Sequence, residues 1–217
     1  AESLAGLGRL LTTLPRRQSL FAYLMSSMFY RDALNALYGF GGVYASGVLG
    51  WSVTKIGIFG IVGAISAALA TWIAGRIDSA RGPKPVIVGS ILVLIAVCCV
   101  IVGMSREAIF GMPFAEGSAL PDRIFYVCGA LIGAAGGTIQ SSSRTLMAFH
   151  AAPDRATEAF GLYALSGKAT AFIAPAVITA ATVVSGSQRI GIAPLIALFL
   201  LGLALLIWVK PWGERQA

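Results

Sequence analysis

Long apolar stretches alternate along this chain with short polar segments. Each stretch holds about 20 or more largely apolar residues, the length that an α-helix needs to cross a hydrocarbon core of about 30 Å. The pattern predicts an all-α, polytopic membrane protein with six transmembrane helices. The predicted helices cover residues 19–46, 53–75, 85–103, 123–149, 159–184 and 190–209.

The segments outside these helices predict the rest of the organisation. Residues 1–18 carry leucines near helical spacing with arginines between them, which is typical of an amphipathic linker on the cytoplasmic membrane surface. Residues 19–210 form the predicted membrane domain, and residues 211–217 a cytoplasmic tail. The longest predicted loop, residues 104–122, contains two prolines.

The distribution of basic residues predicts the orientation. Six spans place both termini on one side of the membrane. Of the 16 Lys and Arg residues, ten fall on that side and four on the opposite side. Because Lys and Arg are concentrated in cytoplasmic segments, both termini are predicted to be cytoplasmic.

Composition narrows the class of protein. Hydrophobic residues make up 57% of the chain and charged residues 12%, whereas a soluble domain carries about a quarter charged residues. The surroundings are therefore membrane lipid. The net charge of +7 is scattered at the ends of apolar stretches, so no nucleic-acid partner is expected.

The sequence lacks the patterns that reactive sites need. Cys98, Cys99 and Cys128 lie in apolar segments without metal-ligand spacing and are interpreted as small core residues. No nucleophile lies in a motif with a base, and no carboxylates are paired outside the loops. We expect no catalytic residue, no metal and no cofactor, and we do not expect an enzyme.

Polar and ionisable residues interrupt three of the predicted spans. Such groups are costly in hydrocarbon and persist there only where they face protein or water. They are candidates for a substrate or ion path, although Arg144 could equally anchor at the lipid headgroups. The candidates are Arg31, Asp32 and Asn35 in the first span, Gln140, Ser142 and Arg144 in the fourth, and Lys168 in the fifth.

Lys168 and Asp32 enter their spans to a similar depth, about 14 Å at 1.5 Å per residue. We therefore predict that Lys168 approaches Asp32, with Asn35 alongside. Two interpretations remain open. Asp32 could exchange a proton while Arg31 or Lys168 holds an anionic group, or the charges could form a fixed pair that locks helices, with a snorkelling lysine as a further structural alternative.

Small residues predict close helix packing. The fourth span repeats Gly129, Gly133, Gly137 and Ser141 at steps of four. This spacing forms a ridge that lets another backbone approach closely. The second span offers its own close-packing positions at Gly57, Gly60, Gly63 and Ala67.

Three features around the fifth span have modest predicted roles. His150 is interpreted as an ordinary interfacial residue, with a pH-sensing role as the alternative. Asp154 and Glu158 place acids near a helix start, where they are favourable. Pro175 is expected to bend the helix.

The connection between the second and third spans, 75–84, reads GRIDSARGPK. It is predicted to be a short cytoplasmic turn whose acid and bases hold two helix ends and hydrogen-bond exposed carbonyls, with a merely solvated loop as the alternative. It resembles the signature loop of major facilitator superfamily transporters, although Ser79 stands where the usual aspartate is expected and Ala80 where a base is expected. The residues that would act in this conformational loop are Gly75, Asp78, Arg81, Gly82 and Lys84.

Three longer segments, 30–52, 75–90 and 140–175, resemble the C-terminal half of bacterial UMF1-type transporters, which are related to vacuolar amino-acid effluxers linked to autophagy. The resemblance implies helices seven to twelve of a twelve-helix fold, with the first and fourth spans lining the path and the fifth beside the first. It also implies a multi-pass protein of the bacterial inner membrane.

By this resemblance, the chain would be half of a secondary transporter that moves a small solute, possibly an amino acid, by alternating access. The second six-helix half would be on the same gene, in a separate chain or in a second copy of this one. The alternative is a structural or assembly subunit of a larger membrane complex.

Overall fold

The computed structural model describes residues 17–152 and 156–213, and the described chain is mostly helical. Most of the predicted linker at 1–18 and the end of the predicted tail, 214–217, lie outside these ranges, as does Asp154. The elements are α1 (Gln18–Gly47), α2 (Val53–Arg81), α3 (Pro83–Gly103), β1 (Ala108–Ile109), β2 (Met112–Pro113), α4 (Leu120–His150), α5 (Ala156–Ala169), α6 (Ile173–Ser185), α7 (Gln188–Gly191) and α8 (Ala193–Leu205), followed by a 3₁₀ turn at Leu206–Trp208.

These elements confirm the predicted all-α membrane fold. Within the described ranges, five helical spans are long and apolar enough to cross a membrane, at 53–81, 83–103, 120–150, 156–185 and 188–208. The remaining long helix, α1, has 30 residues and includes a polar tract at 31–35. Its tyrosines Tyr23, Tyr30 and Tyr44 are fully buried, so one face of α1 packs into the bundle, whereas Tyr38 and Val43 on another face are exposed.

The predicted loop at 76–84 is wrong in its extent. Helix α2 continues through Arg81, because residues 76–81 contain no helix breaker, and α3 begins at Pro83. Gly82 alone joins the two helices, with φ at 80°, which glycine adopts without a steric penalty. Pro83 then favours the start of α3, since its fixed φ suits the first turn of a helix. Most of the signature motif is therefore helical.

A small hairpin lies within the predicted loop at 104–122. Strands β1 and β2 pair antiparallel, with Ile109 opposite Met112. The two residues between them, Phe110 and Gly111, have φ values of 49° and 81°. Positive φ at both central positions is the geometry of a type I′ turn.

The fifth span is divided into two half-helices, α5 and α6, separated by residues 170–172. Pro175 lacks an N–H and its ring crowds the carbonyl of Ala171, four residues earlier. The chain at the break uses three-residue hydrogen bonds instead, from Ala171 N to Lys168 O (3.3 Å) and from Ile173 N to Thr170 O (2.9 Å). The structure shows an interruption of the helix just ahead of Pro175, at the place where the sequence predicts a bend.

Helices α2 and α4 cross in backbone contact. A Cβ placed on Gly133 would overlap the carbonyl of Gly63, and one placed on Gly137 would lie 2.9 Å from the Cβ of Ala67. A Cβ on Gly129 would overlap the ring of Phe59. The small-residue ridge predicted on the fourth span is confirmed, since only glycine permits this approach.

The matching prediction for the second span is only partly correct. Gly63 and Ala67 form the crossing, but a Cβ on Gly57 or Gly60 would meet no atom within 4 Å. The crossing therefore lies in the second half of the predicted run of small residues.

The end of the bundle that carries the hairpin is held together by Asp122. Its carboxylate accepts a hydrogen bond from Trp51 Nε1 (2.8 Å) and pairs with Lys55 Nζ (3.3 Å) and with the guanidinium of Arg106. These partners come from the α1–α2 connection, the start of α2 and the loop before the hairpin. A cluster of aromatic rings packs behind the carboxylate, formed by Tyr44, Trp51, Phe59, Phe125 and Tyr126.

We expect Asp122→Ala to destabilise the protein by about 1–2 kcal/mol, mainly by leaving the part-buried Trp51 N–H without an acceptor. The two exposed ion pairs should add little, since surface pairs contribute at most about 1 kcal/mol. Thermal unfolding of the purified protein in lipid measures the change. Glu116→Ala removes an exposed carboxylate from the connection just before α4 and should leave the unfolding temperature unchanged. Equal effects of the two substitutions would contradict this role for Asp122.

The opposite end of the bundle is closed by His150. The prediction of an ordinary interfacial residue is wrong, because only 1% of His150 is exposed. Its Nε2 lies 2.9 Å from Ser19 Oγ, its Nδ1 2.9 Å from Leu146 O, and its ring stacks on Tyr23. Ser19 Oγ also accepts the backbone N–H of Lys210. The start of α1, the end of α4 and the end of the last span are therefore joined here.

Candidate functional site: a basic cavity between three helices

Four of the seven candidate path residues meet at one cavity of about 60 Å³ between α1, α4 and α5. The sequence placed them on two separate spans, and the structure brings them together. The lining residues are Arg31, Leu34, Asn35, Gln140, Arg144 and Tyr163.

Arg31 is held in this cavity by α5. Its guanidinium lies 4.0 Å from the centre of the Tyr163 ring, and its Nη1 donates a hydrogen bond to Tyr163 O (3.0 Å). Gly167, one turn further along α5, leaves room for the guanidinium, since a Cβ there would lie 2.9 Å from Arg31 Cζ. The stacking and the hydrogen bond together fix the direction of the guanidinium.

Arg144 approaches the same cavity from α4, four residues after Gln140 and therefore on the same helix face. Its side chain is exposed and makes no hydrogen bond or ion pair with any residue in 17–152 or 156–213. Within those ranges, both ion pairs belong to Asp122, so neither arginine at the cavity is paired with an acid. The cavity thus carries two positive charges that described carboxylates do not balance.

The cavity lies part of the way into the bundle. Helices α1 and α4 meet at Ser19 and His150. Counting along the helix axes from there, Arg144 is about 9 Å inside and Arg31 about 18 Å inside. Both side chains are long enough to reach a common point between these depths.

Asp32 faces a different cavity and has a different partner from the one predicted. It is 3% exposed, and its Oδ2 accepts the backbone N–H of Ala174 (2.8 Å), in the first turn of α6. The first turn of a helix has N–H groups without partners in the helix and a partial positive charge. Asp32 therefore caps the half-helix that begins after the break.

The predicted approach of Lys168 to Asp32 is wrong. Among described residues no ion pair joins them, and Lys168 is exposed in the last turn of α5. The physical reason is the break in the span. It creates a negative helix end, which suits the ammonium of Lys168, and a positive helix end, which suits the carboxylate of Asp32.

The cavity beside Asp32 is larger, about 360 Å³, and it lies between α1 and the broken span. Asn35 lines this cavity as well as the basic one. The two cavities are therefore neighbours. The other lining residues are largely apolar or small, namely Ala36, Gly39, Phe40, Val43, Ala171, Pro175, Ile178 and Thr179.

Ser142 does not line the basic cavity. It is fully buried and donates a hydrogen bond to Asp78 Oδ1 (3.0 Å), which is also buried. The signature motif at the end of α2 is thereby bonded to α4, two residues after Gln140. Nothing in the spacing of the sequence indicated this link.

The other motif residues pack against the end of the chain. Lys84 Nζ donates to Val209 O (2.6 Å), which satisfies a carbonyl just after the 3₁₀ turn. A Cβ on Gly82 would lie 3.3 Å from Pro211 O, so this glycine allows a close approach. Gly75 and Arg81 are exposed. The predicted tail is thus packed in part, with the Trp212 ring against Phe149.

Two functional contacts were missed by the sequence analysis. Tyr163 supplies the surface on which Arg31 lies, and its spacing of four from Gly167 could have indicated a shared face. The backbone N–H of Ala174 carried no signal beyond the nearby Pro175.

Glu158 lies in the first turn of α5, as predicted, and its Oε2 is buried without a hydrogen-bond partner among described atoms.

Comparison with known proteins gives matches over most of the chain. Autophagy-related protein 22 from two strains of Cryptococcus neoformans var. neoformans serotype D, JEC21 and B-3501A, is 26% identical over 203 residues. The alignments cover 92% of this chain but only 35% and 37% of those proteins. An uncharacterized MFS-type transporter of Bacillus subtilis (strain 168), YxiO, is 24% identical over 208 residues, covering 96% of this chain and 45% of that protein.

The chain thus spans less than half the length of these curated relatives. The family model described as "Vacuole effluxer Atg22 like" matches residues 2–215. This match confirms the predicted relationship to vacuolar effluxers linked to autophagy, which was inferred from the segments 30–52, 75–90 and 140–175. The chain belongs to the vacuole effluxer Atg22-like family.

Proposed function

We propose that this chain is one six-helix half of a secondary transporter, which moves a small solute by alternating access together with a second six-helix half. The solute path runs along the face formed by α1, α4 and α5. In this proposal the chain has no enzymatic role, lies in a bacterial inner membrane and has both termini in the cytoplasm.

One observation carries the need for a second half. Asn35, Gln140, Arg144 and Lys168 are exposed in a chain whose surroundings are lipid. Charged and amide groups are costly in hydrocarbon, so this face needs water or another protein opposite it. The family relationship and the partial coverage of the relatives support a second half as that protein.

A structural or assembly subunit remains the second candidate. The contact of Asp32 favours this candidate, because a carboxylate that caps a helix end is also what a purely structural role would require. Arg31 and Arg144 do not favour it, because among the described residues neither forms the fixed ion pair that would lock helices together.

Native mass spectrometry of protein extracted gently from its own membrane tests the proposal. We expect a mass of this chain with a second six-helix segment, whether fused, separate or a second copy. Separating inner from outer membranes before extraction checks the location. A fixed stoichiometry with unrelated subunits, and no solute flux after reconstitution, would overturn the proposal.

Flux in proteoliposomes loaded with labelled amino acids gives the functional readout. We expect Lys168→Ala to abolish flux, because it removes an exposed positive charge from the proposed path, and to lower the unfolding temperature only slightly, because a cation at an exposed helix end contributes at most about 1 kcal/mol. Lys210→Ala removes an exposed lysine at the end of the bundle and should leave flux intact. Preserved flux with lower thermal stability in Lys168→Ala would instead assign Lys168 to holding the α5 helix end.

A further inference from the structure

We propose that the basic cavity is a subsite for the carboxylate group of a solute whose apolar body occupies the neighbouring cavity beside Asn35. This inference rests on the proposed function, since it names the chemical class of solute for the same path. It is carried by charge, by donor geometry and by the arrangement of the two cavities.

The charge of the cavity favours an anion. The guanidiniums of Arg31 and Arg144 line one space of about 60 Å³, and in the described ranges no acid pairs with either of them. Two like charges close together in a membrane protein repel each other and lose hydration. A single bound anion offsets both costs.

The donors favour an oxyanion with two oxygens. An arginine has five N–H donors in a planar fork that matches a carboxylate, and Arg31 uses one nitrogen on Tyr163 O while its plane is held against the ring. Asn35 and Gln140 add amide donors to the same cavity. The subsite therefore offers fixed donors from Arg31 and adaptable donors from Arg144.

The sizes of the two cavities indicate which part of the solute each one can hold. About 60 Å³ accommodates a few water molecules or one carboxylate group, but not a ring or a branched chain. The adjoining space of about 360 Å³ has apolar walls from Phe40, Val43 and Ile178. Asn35 lines both, so a solute can place its carboxylate in one and its apolar body in the other.

Binding of matched probes to the full-length protein tests this subsite. Benzoate and benzamide have nearly the same shape and differ in charge, and acetate lacks the apolar body. In phosphatidylcholine nanodiscs, with unfolding followed by tryptophan fluorescence, we expect benzoate to raise the unfolding temperature more than acetate does, and benzamide to have no effect. An equal effect of benzamide would overturn the proposal.

The arginine variants assign the effect to the cavity. Arg144→Gln should weaken benzoate binding about tenfold, as expected for the loss of one charge-assisted interaction, and Arg144→Lys less. Arg144 makes no described hydrogen bond, so neither variant should impair folding. Arg76→Gln is the matched control, because that guanidinium lies on α2 over the Trp72 ring. Unchanged benzoate affinity in Arg144→Gln would overturn the proposal.

Two further results separate the sources of the anion. Stabilisation by phosphatidylglycerol and not by benzoate would assign the arginines to a lipid headgroup and overturn the solute subsite. A lower unfolding temperature for Arg144→Gln without any benzoate effect would assign Arg144 to a fixed carboxylate elsewhere in the full protein, with the same consequence. Benzoate binding without flux would leave the subsite standing while the transport function fails.

Discussion

Gly133→Ala is expected to prevent stable assembly of the bundle, although it adds a single methyl group. The added Cβ would overlap the backbone carbonyl of Gly63, which cannot rotate away as a side chain could. Helices α2 and α4 would have to separate along their whole crossing. Overpacking costs about 1–3 kcal/mol and occasionally more, and the upper end is expected here because the obstacle is backbone. The yield of monodisperse protein and its unfolding temperature in lipid measure the effect.

Gly89→Ala is the matched control for this substitution. It makes the same change within the membrane-spanning part of α3, where a Cβ would meet no atom within 4 Å. Since alanine has a higher helix propensity than glycine, the control should be neutral or slightly stabilising. If Gly133→Ala were as stable as Gly89→Ala, the crossing of α2 and α4 would be looser than described.

Asp32→Ala is expected to have the second large effect, on both stability and transport. It leaves the buried N–H of Ala174 without an acceptor and removes a negative charge from the start of α6. The unsatisfied donor alone costs about 1–3 kcal/mol. Loss of the cap should also loosen the α1–α6 contact that bounds the larger cavity. Unfolding temperature and flux, measured on the same preparation, report both losses.

Asp32→Asn and Asn35→Ala make this test specific. The asparagine variant keeps an oxygen acceptor and loses the charge, so it should retain most of the stability that Asp32→Ala loses. Asn35→Ala removes an exposed amide one turn away on α1 and should leave stability unchanged. Full stability of Asp32→Ala would show that the break does not depend on its cap.

Much of the fold could be predicted because apolar length and small-residue spacing are local properties of the sequence. The ridge at Gly129, Gly133 and Gly137 predicted a close crossing and Pro175 predicted a bend, since each acts within a few residues. The extension of α2 through Arg81 was missed because charge was taken to mark a loop, whereas arginine is a good helix former and the helix ends only at Gly82.

The candidate site was predictable in its residue types but not in its pairings. Polar groups within a membrane span had to face protein or water, and that reasoning located Arg31, Asn35, Gln140 and Arg144. The partner of Asp32 could not be found in the same way, because it is a backbone N–H exposed by a helix break. Opposite charge favoured Lys168 as the partner of Asp32. In the structure Asp32 instead caps the start of α6, and Lys168 lies at the end of α5.

The contact between Gly63 and Gly133 has a mechanical consequence for any motion of the bundle. A carbonyl seated over a glycine resists sliding along the helix, because any shift shorter than one step of the ridge takes the carbonyl out of the space that the missing Cβ leaves. Another glycine of the ridge comes under the carbonyl only after a jump of about 6 Å. Helices α2 and α4 should therefore move together as one rigid unit. Bending should be concentrated at residues 170–172 of the broken span.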